Sequence, residues 1–243
     1  MKRIILMAVM LLPLCLAAQN QKSEKTTPFY TREEAPHLEN VLPAPPALND
    51  PLFFNDWSQY LWGKSIRDTE RGQQAVVDAK LGGSFFFKRY SEAMGIKTMT
   101  QEDYPILYEL LKKAHYTEME AGASAKKAFA RVRPYQQFKE ASGVPKSESP
   151  TDFTSYPSGH THAAWLTGMI LTAVAPEYTE QIMKAAYEVG QSRVIVGFHY
   201  QSDVDAGRIC ASITFARLCS MPEFLNMLEK AKKEFAKNEK LRQ

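Results

Sequence analysis

Three short segments of this 243-residue chain hold the residue types that handle a charged oxyanion. The first runs from Lys126 to Pro134. Lys126 and Arg133 are seven residues apart, so on a continuous helix both point from one face, and Pro134 stops that helix just after Arg133. Two cations beside a rigid stop suit a grip on oxyanion oxygens, although a solvated basic face has the same pattern. The second is Tyr156-Pro157-Ser158-Gly159-His160-Thr161-His162, where Pro, Ser and Gly mark a turn and Ser158 is a natural helix N-cap. A helix N-terminus offers unpaired N–H groups and the positive end of the dipole. Gly159 lets the backbone approach a ligand closely, and His160 in the first turn is placed to donate a proton to a leaving group. Plain helix capping would need the same residues. The third segment holds Arg193, His199 and Asp203 in an otherwise apolar stretch. Asp203, four residues after His199, can bond one ring nitrogen across a helical turn and leave the other free as a nucleophile. A core histidine held by a capping aspartate is the competing account.

Combined, the segments supply three cations, a helix N-terminus and two histidines in different settings. Phosphoryl transfer without a metal needs such a set, because its catalysis is mostly positioning plus stabilisation of charge on the non-bridging oxygens. The residues alone do not rank His199 above His160 as the nucleophile. The pattern K-x6-RP, then PSGH, then SR-x5-H-x3-D resembles the signature of the type 2 phosphatidic acid phosphatase and vanadium haloperoxidase superfamily. Within it the chain resembles the bacterial class A non-specific acid phosphatases, which are secreted and soluble. Asn55, Arg67-Asp68-Thr69-Glu70-Arg71-Gly72, Tyr187-Glu188-Val189-Gly190-Gln191 and Gln201 to Asp205 look like that family too, so the similarity covers about residues 42–240.

The resemblance implies roles. His199 is the nucleophile that becomes phosphohistidine, and Asp203 orients it. His160 protonates the leaving alkoxide and then activates water. Lys126, Arg133, Arg193, the Ser158 hydroxyl and the Gly159 N–H hold the phosphoryl oxygens. It implies a broad range of small phosphate monoesters as substrates, with no metal or other cofactor. His162 lies outside the signature and receives no role. Some relatives carry cysteines between the first two motifs, whereas residues 135–156 have none here, so substrate preference does not transfer with the motifs.

The elements that must position these groups are helical. Ile106, Leu107, Leu110, Leu111 and Ala114 repeat at helical spacing, and the pattern continues to about Phe129. Residues 161–174 are nearly all apolar, as in a helix buried on every side. Further helices are expected within about 55–80 and over about 177–190, 203–219 and 222–238, the last with Phe224, Leu225, Leu228, Ala231 and Phe235 as one stripe. Only Ser84–Tyr90 and Val194–Tyr200 have strand-like composition, and each is short. The expected fold is an all-α, single-domain helical bundle over residues 50–243, resembling the acid phosphatase and vanadium-dependent haloperoxidase fold. Residues 19–49 are polar and Pro-rich, which predicts an extended arm on the surface.

Lys2 and Arg3 precede an uncharged run from Ile4 to Ala18 that is too short to span a bilayer, the pattern of a secretory signal peptide over residues 1–18. Its removal takes away two basic and no acidic residues, so the net charge falls from +3 to +1. A periplasmic or secreted location follows, with no membrane insertion. The composition, 44% apolar and 23% charged, excludes a disordered or multi-pass membrane chain, and no basic block points to nucleic acid. Self-association is left open. Cys210 and Cys219 are nine residues apart, roughly 13 Å along one helix. That exceeds the reach of a disulfide, so two buried free thiols are expected. Competing functions are phosphotransfer to alcohols or nucleosides, a vanadate-dependent haloperoxidase, a zinc hydrolase using His160, His162, His199 and Asp203, and a non-catalytic phosphate-binding protein.

Overall fold

The most apolar stretch of the sequence becomes the helix around which the others assemble. The computed structural model describes residues 26–80 and 82–240, and the regular structure among them is helical throughout. The signal segment and Cys15 lie outside the described residues. In chain order the helices are α1 (Phe53–Ser65), α2 (Glu70–Val77), α3 (Gly83–Met94), α4 (Pro105–Phe129), α5 (Pro134–Phe138), α6 (Gly159–Val174), α7 (Thr179–Ile195), α8 (Gln201–Leu218) and α9 (Pro222–Lys240). α6 is surrounded by α4, α7, α8 and α9, which buries Ala163, Ala164, Leu166, Ile170, Leu171 and Val174. Small residues set the approach of its neighbours. A Cβ at Gly168 would come within 2.9 Å of the Ala186 Cβ on α7. A Cβ at Gly207 of α8 would lie 2.7 Å from the Ser158 carbonyl oxygen. Glycine at these two points is what lets α7 and α8 close on α6 and bring their functional ends together.

Several expectations need correction. Lys126 and Arg133 do not share a helix. α4 ends at Phe129, Ala130 turns left-handed (φ 43°), and Pro134 holds Arg133 extended (φ −79°, ψ 155°) as the N-cap of α5. The chain reversal, not the helical repeat, brings both cations to one place. Ser84–Tyr90 lies inside α3, and Val194–Tyr200 is the end of α7 plus a tight turn in which Gly197 has φ 70°. Their β-branched and aromatic residues serve core packing rather than strand pairing.

The described part of the expected arm, residues 26–49, does not lie wholly on the surface. Phe29, Tyr30, Leu38 and Leu42 are buried. The Phe29 ring meets Phe224 edge-on at 5.5 Å, and its N–H donates to Thr117 Oγ1 at 2.9 Å. Tyr156 donates its hydroxyl proton to the Pro43 carbonyl at 2.7 Å. Proline forbids a helix here but not burial, and each buried aromatic or leucine contributes about 1.5–3 kcal/mol. In α9 the stripe is Phe224, Leu228, Ala231 and Phe235, while Leu225 is exposed. Both thiols are free, but Cys219 caps α8 on the surface instead of being buried.

Candidate active site

A cavity of about 380 Å³ opens where the N-terminus of α6 meets the side of α4 and the turn before α8. Lys126, Arg133, Ser158, Gly159, His160 and His199 line it, with Thr154 and Pro157 between them and His115, Glu118 and Met119 on the α4 side. Six of the eight sequence-derived residues thus share one wall. The other two, Arg193 and Asp203, stand buried behind it.

The partners of His199 determine its tautomer. Nδ1 faces acceptors alone: the Ser155 carbonyl at 2.7 Å and Asp203 Oδ2 at 3.4 Å. Nδ1 therefore carries the proton. Nε2 faces a donor, Arg133 Nη1 at 3.0 Å, so it carries the lone pair. The expected Asp203 contact exists, but the shorter bond belongs to a backbone carbonyl. Asp203 has other commitments, because it reaches back to the Tyr200 N–H at 2.9 Å as the acid in the first turn of α8. Burial, then the cations Arg133, Arg193 and Lys126, hold the His199 pKa well below the usual histidine range. The ring stays neutral, with its lone pair available, under acidic conditions that would protonate an exposed histidine.

The three cations differ in how they are satisfied. Arg133 spends its donors on Asp152 Oδ2 (2.6 Å), Thr154 Oγ1 (3.1 Å), the Phe198 carbonyl (3.1 Å) and His199 Nε2. Lys126 donates to the carbonyls of Thr154 (2.8 Å) and Pro157 (2.6 Å). Burial, with Arg133 close by, lowers its pKa to about 8. Arg193 is fully buried, yet its Nε and Nη1 have no hydrogen-bond partner among the described residues. Burial and Arg133 pull its pKa down to about 9. Both guanidiniums lie against the ring of Phe198, Arg133 4.5 Å and Arg193 4.9 Å from its centroid. A cluster of three cations with unspent donors favours a bound anion.

Ser158 caps α6, its Oγ accepting from the Thr161 N–H at 3.4 Å and the Thr161 hydroxyl at 3.0 Å. The Gly159 N–H therefore heads a helix whose dipole points into the cavity. A Cβ on Gly159 would lie 3.6 Å from Lys126 Cε, so this backbone and that cation border the same space. His160 Nε2 lies 3.0 Å from the Ala79 carbonyl, an acceptor, so Nε2 bears a proton and Nδ1 is left as the exchangeable nitrogen. Burial, then Arg193, lowers the His160 pKa well below its ordinary value. His162 spends both nitrogens elsewhere, on Thr214 Oγ1 at 2.9 Å and Glu118 Oε2 at 3.4 Å. The histidines proposed for zinc thus have separate commitments, and no group of three or more His, Cys, Asp or Glu among the described residues could hold a metal.

Ser155, Asp152, Thr154 and Arg131 escaped the sequence reading. Ser155 acts through a carbonyl that any residue could supply, so its side chain carries no signal. Asp152 and Thr154 sit in a polar loop whose composition singles out neither residue. Arg131 had a usable signal: a second arginine two residues before Arg133.

The PAP2 superfamily model matches residues 115–225, which contain the whole cavity wall. The chain is 43% identical over 202 residues to a non-specific acid phosphatase of Providencia stuartii, covering 82% of this chain and 81% of that one. It is 37% identical over 227 residues to a non-specific acid phosphatase of Salmonella typhi (92% and 89%), and 30% identical to an acid phosphatase of Zymomonas mobilis (91% and 83%). With a cation-lined cavity built from the matched segment and this similarity running along most of its length, the chain belongs to the PAP2 superfamily, in the family of the non-specific acid phosphatases.

Proposed function

We propose that this protein is an acid phosphatase of broad specificity that hydrolyses small phosphate monoesters through a phosphohistidine on His199, without a metal. The observation that carries this reading is the His199 tautomer. Its Nδ1–H is held by Ser155 and Asp203, and its Nε2 lone pair faces the cation cluster. A phosphoryl group entering the cavity takes over the Arg133 Nη1–H that now rests on Nε2, and the unspent donors of Arg193 meet its oxygens. The remaining Lys126 proton, the Ser158 hydroxyl and the Gly159 N–H complete the cradle.

Nε2 then attacks phosphorus. The N–P bond forms as the ester P–O bond breaks, and the departing alkoxide takes a proton from His160. In the second half, water gives a proton back to His160 as its oxygen attacks phosphorus. The P–N bond breaks, its electron pair returns to Nε2, and inorganic phosphate leaves. An alcohol in place of water gives phosphotransfer by the same steps. The depressed His160 pKa fits this sequence once substrate binds. Burial is the larger cause and the cations the second; the phosphate charge offsets the cations' share and so favours the protonated acid. Export through residues 1–18 belongs to the same reading, and no helix among the described residues is long and apolar enough to cross a membrane.

The test uses residues 19–243 with a chromogenic phosphate monoester near pH 6 in excess EDTA, beside His199→Ala. We expect unchanged turnover in chelator and a loss of at least ~10³-fold in the variant, as for removal of a nucleophile. Turnover that vanishes in chelator would sink the metal-free mechanism. Phosphate binding with no turnover by the wild type would leave a binding protein.

A further inference from the structure

Arg131 lies outside the cavity, in the reversal between α4 and α5, with its side chain only 9% exposed. Its guanidinium bridges two buried carboxylates. Nη1 donates to Asp203 Oδ1 at 2.5 Å and to Ser202 Oγ at 2.7 Å. Nη2 donates to Asp56 Oδ2 at 2.7 Å and to the Pro46 carbonyl at 3.3 Å. Below it, the Tyr200 ring centroid is 4.0 Å from the guanidinium carbon. Asp56 is itself fixed on the first turn of α8, where it accepts the Ser202 N–H at 2.8 Å and the Ser202 hydroxyl at 2.6 Å.

The main chain of Arg131 holds the other side of the same arrangement. Its carbonyl accepts the Ser155 N–H at 3.1 Å, and Ser155 supplies the carbonyl that accepts His199 Nδ1–H. The Ser155 hydroxyl closes the loop on Asp203 Oδ2 at 2.6 Å. Both acceptors facing Nδ1 are therefore held by this one residue: Asp203 through the guanidinium, Ser155 through the peptide.

We infer that Arg131 is a positioning residue for the nucleophile, acting on His199 through Asp203 and Ser155, and that Asp56 aims it. The inference rests on the assignment of His199 as nucleophile. Without the guanidinium, Asp203 and Asp56 become two buried carboxylates with no cation between them, and such a pair must move apart, hydrate or take up a proton. Each response disturbs the acceptor that keeps Nδ1 protonated and the ring aimed. Small errors of aim are costly in a displacement that depends on alignment. A planar fork holds both carboxylates and the Ser202 hydroxyl in a fixed geometry, which a flexible ammonium reproduces only in part. The oxyanion cradle involves none of these contacts, so the effect belongs to kcat and not to phosphate affinity.

The experiment compares Arg131→Gln and Arg131→Lys with wild type and His199→Ala. It measures kcat, KM, competitive inhibition by inorganic phosphate, and the melting temperature. We expect Arg131→Gln to lose about 10- to 100-fold in kcat, the scale on which orienting partners act, with the phosphate inhibition constant within about threefold of wild type. Arg131→Lys recovers part of that loss. Adding Asp56→Asn to Arg131→Gln costs less than the product of the single changes, because it relieves the carboxylate pair. If Arg131→Gln does not fold, Arg131→Lys and Asp56→Asn must each show the same split between kcat and phosphate inhibition. An unchanged kcat, or phosphate affinity falling in step with kcat, overturns the inference. Turnover by His199→Ala overturns the nucleophile assignment instead, whatever the Arg131 variants do.

Discussion

Arg89 and Arg193 are guanidiniums, one half-buried and one fully buried, that both feel the carboxylate of Asp78, and the fold treats them in opposite ways. Arg89 reaches Asp78 Oδ1 at 3.2 Å and Glu188 Oε2 at 2.7 Å. Burial works against its charge, but those two carboxylates outweigh it and its pKa is raised. Arg193 follows Ser192, whose hydroxyl donates to the other Asp78 oxygen at 2.6 Å. Asp78 acts on Arg193 only as an attraction without a hydrogen bond, Nε and Nη1 are unpaired among the described residues, and its pKa falls to about 9, first through burial and then through Arg133. A buried charge with donors to spare is costly to the fold. The cost makes sense where an anion is to be bound, so on the proposed function the partnered arginine is scaffold and the unpartnered one a phosphate ligand.

Replacing each arginine by methionine, which keeps length and removes charge, should break that symmetry. Arg89→Met leaves Asp78, which is fully buried, without its cation. We expect it to cost about 3–5 kcal/mol of stability, the usual effect of removing one member of a buried pair. The fraction that folds should keep its turnover. Arg193→Met should do the reverse, losing about 10²–10³ in kcat/KM, as for one donor of an oxyanion site, with a melting temperature at or above wild type. Chemical denaturation and steady-state kinetics on both variants decide it. Equal effects of the two substitutions on both measurements would erase the distinction.

A smaller effect sharpens the same comparison without a loss of chemistry. An anion that binds only the folded protein at 100 times its dissociation constant stabilises it by about 2.7 kcal/mol. For a chain of this size that is about 5–10 °C in melting temperature. Inorganic phosphate should give that rise in wild type and in folded Arg89→Met, and little of it in Arg193→Met. A differential scanning measurement in matched ionic strength separates specific binding from screening.

Most of the helix order was readable from the apolar pattern, because α4 and α9 carry apolar repeats that a helix buries on one side and α6 is apolar all round. The cavity was readable as well, since Lys126, Arg133, Ser158, Gly159, His160 and His199 do line it. What periodicity missed was geometry that turns supply. Lys126 and Arg133 looked like a single face, yet Ala130 reverses the chain between them. The burial of Phe29 and Leu38 was hidden because proline content reports the absence of a helix and says nothing about what the side chains touch. The shortest partner of His199 was hidden for a related reason: a backbone carbonyl, at Ser155, leaves no trace in the residue type.

The least of the expected effects concerns Lys126, the cation intermediate between the two arginines in how fully it is satisfied. Burial lowers its pKa to about 8, with Arg133 adding to the shift. Below that pH the ammonium is charged and holds two carbonyls with one proton to spare. Above it the charge is lost, and phosphate affinity must fall, because the anion binds best to the protonated form. Each pH unit beyond the transition costs at most about tenfold, one proton being linked to one binding event. A bound phosphate pulls the same pKa upward. Competitive phosphate inhibition measured from pH 5 to 9.5 should therefore weaken from about pH 8, and Lys126→Gln should start weaker and show no such limb. A limb unchanged in that variant would show that Lys126 is not the group that titrates.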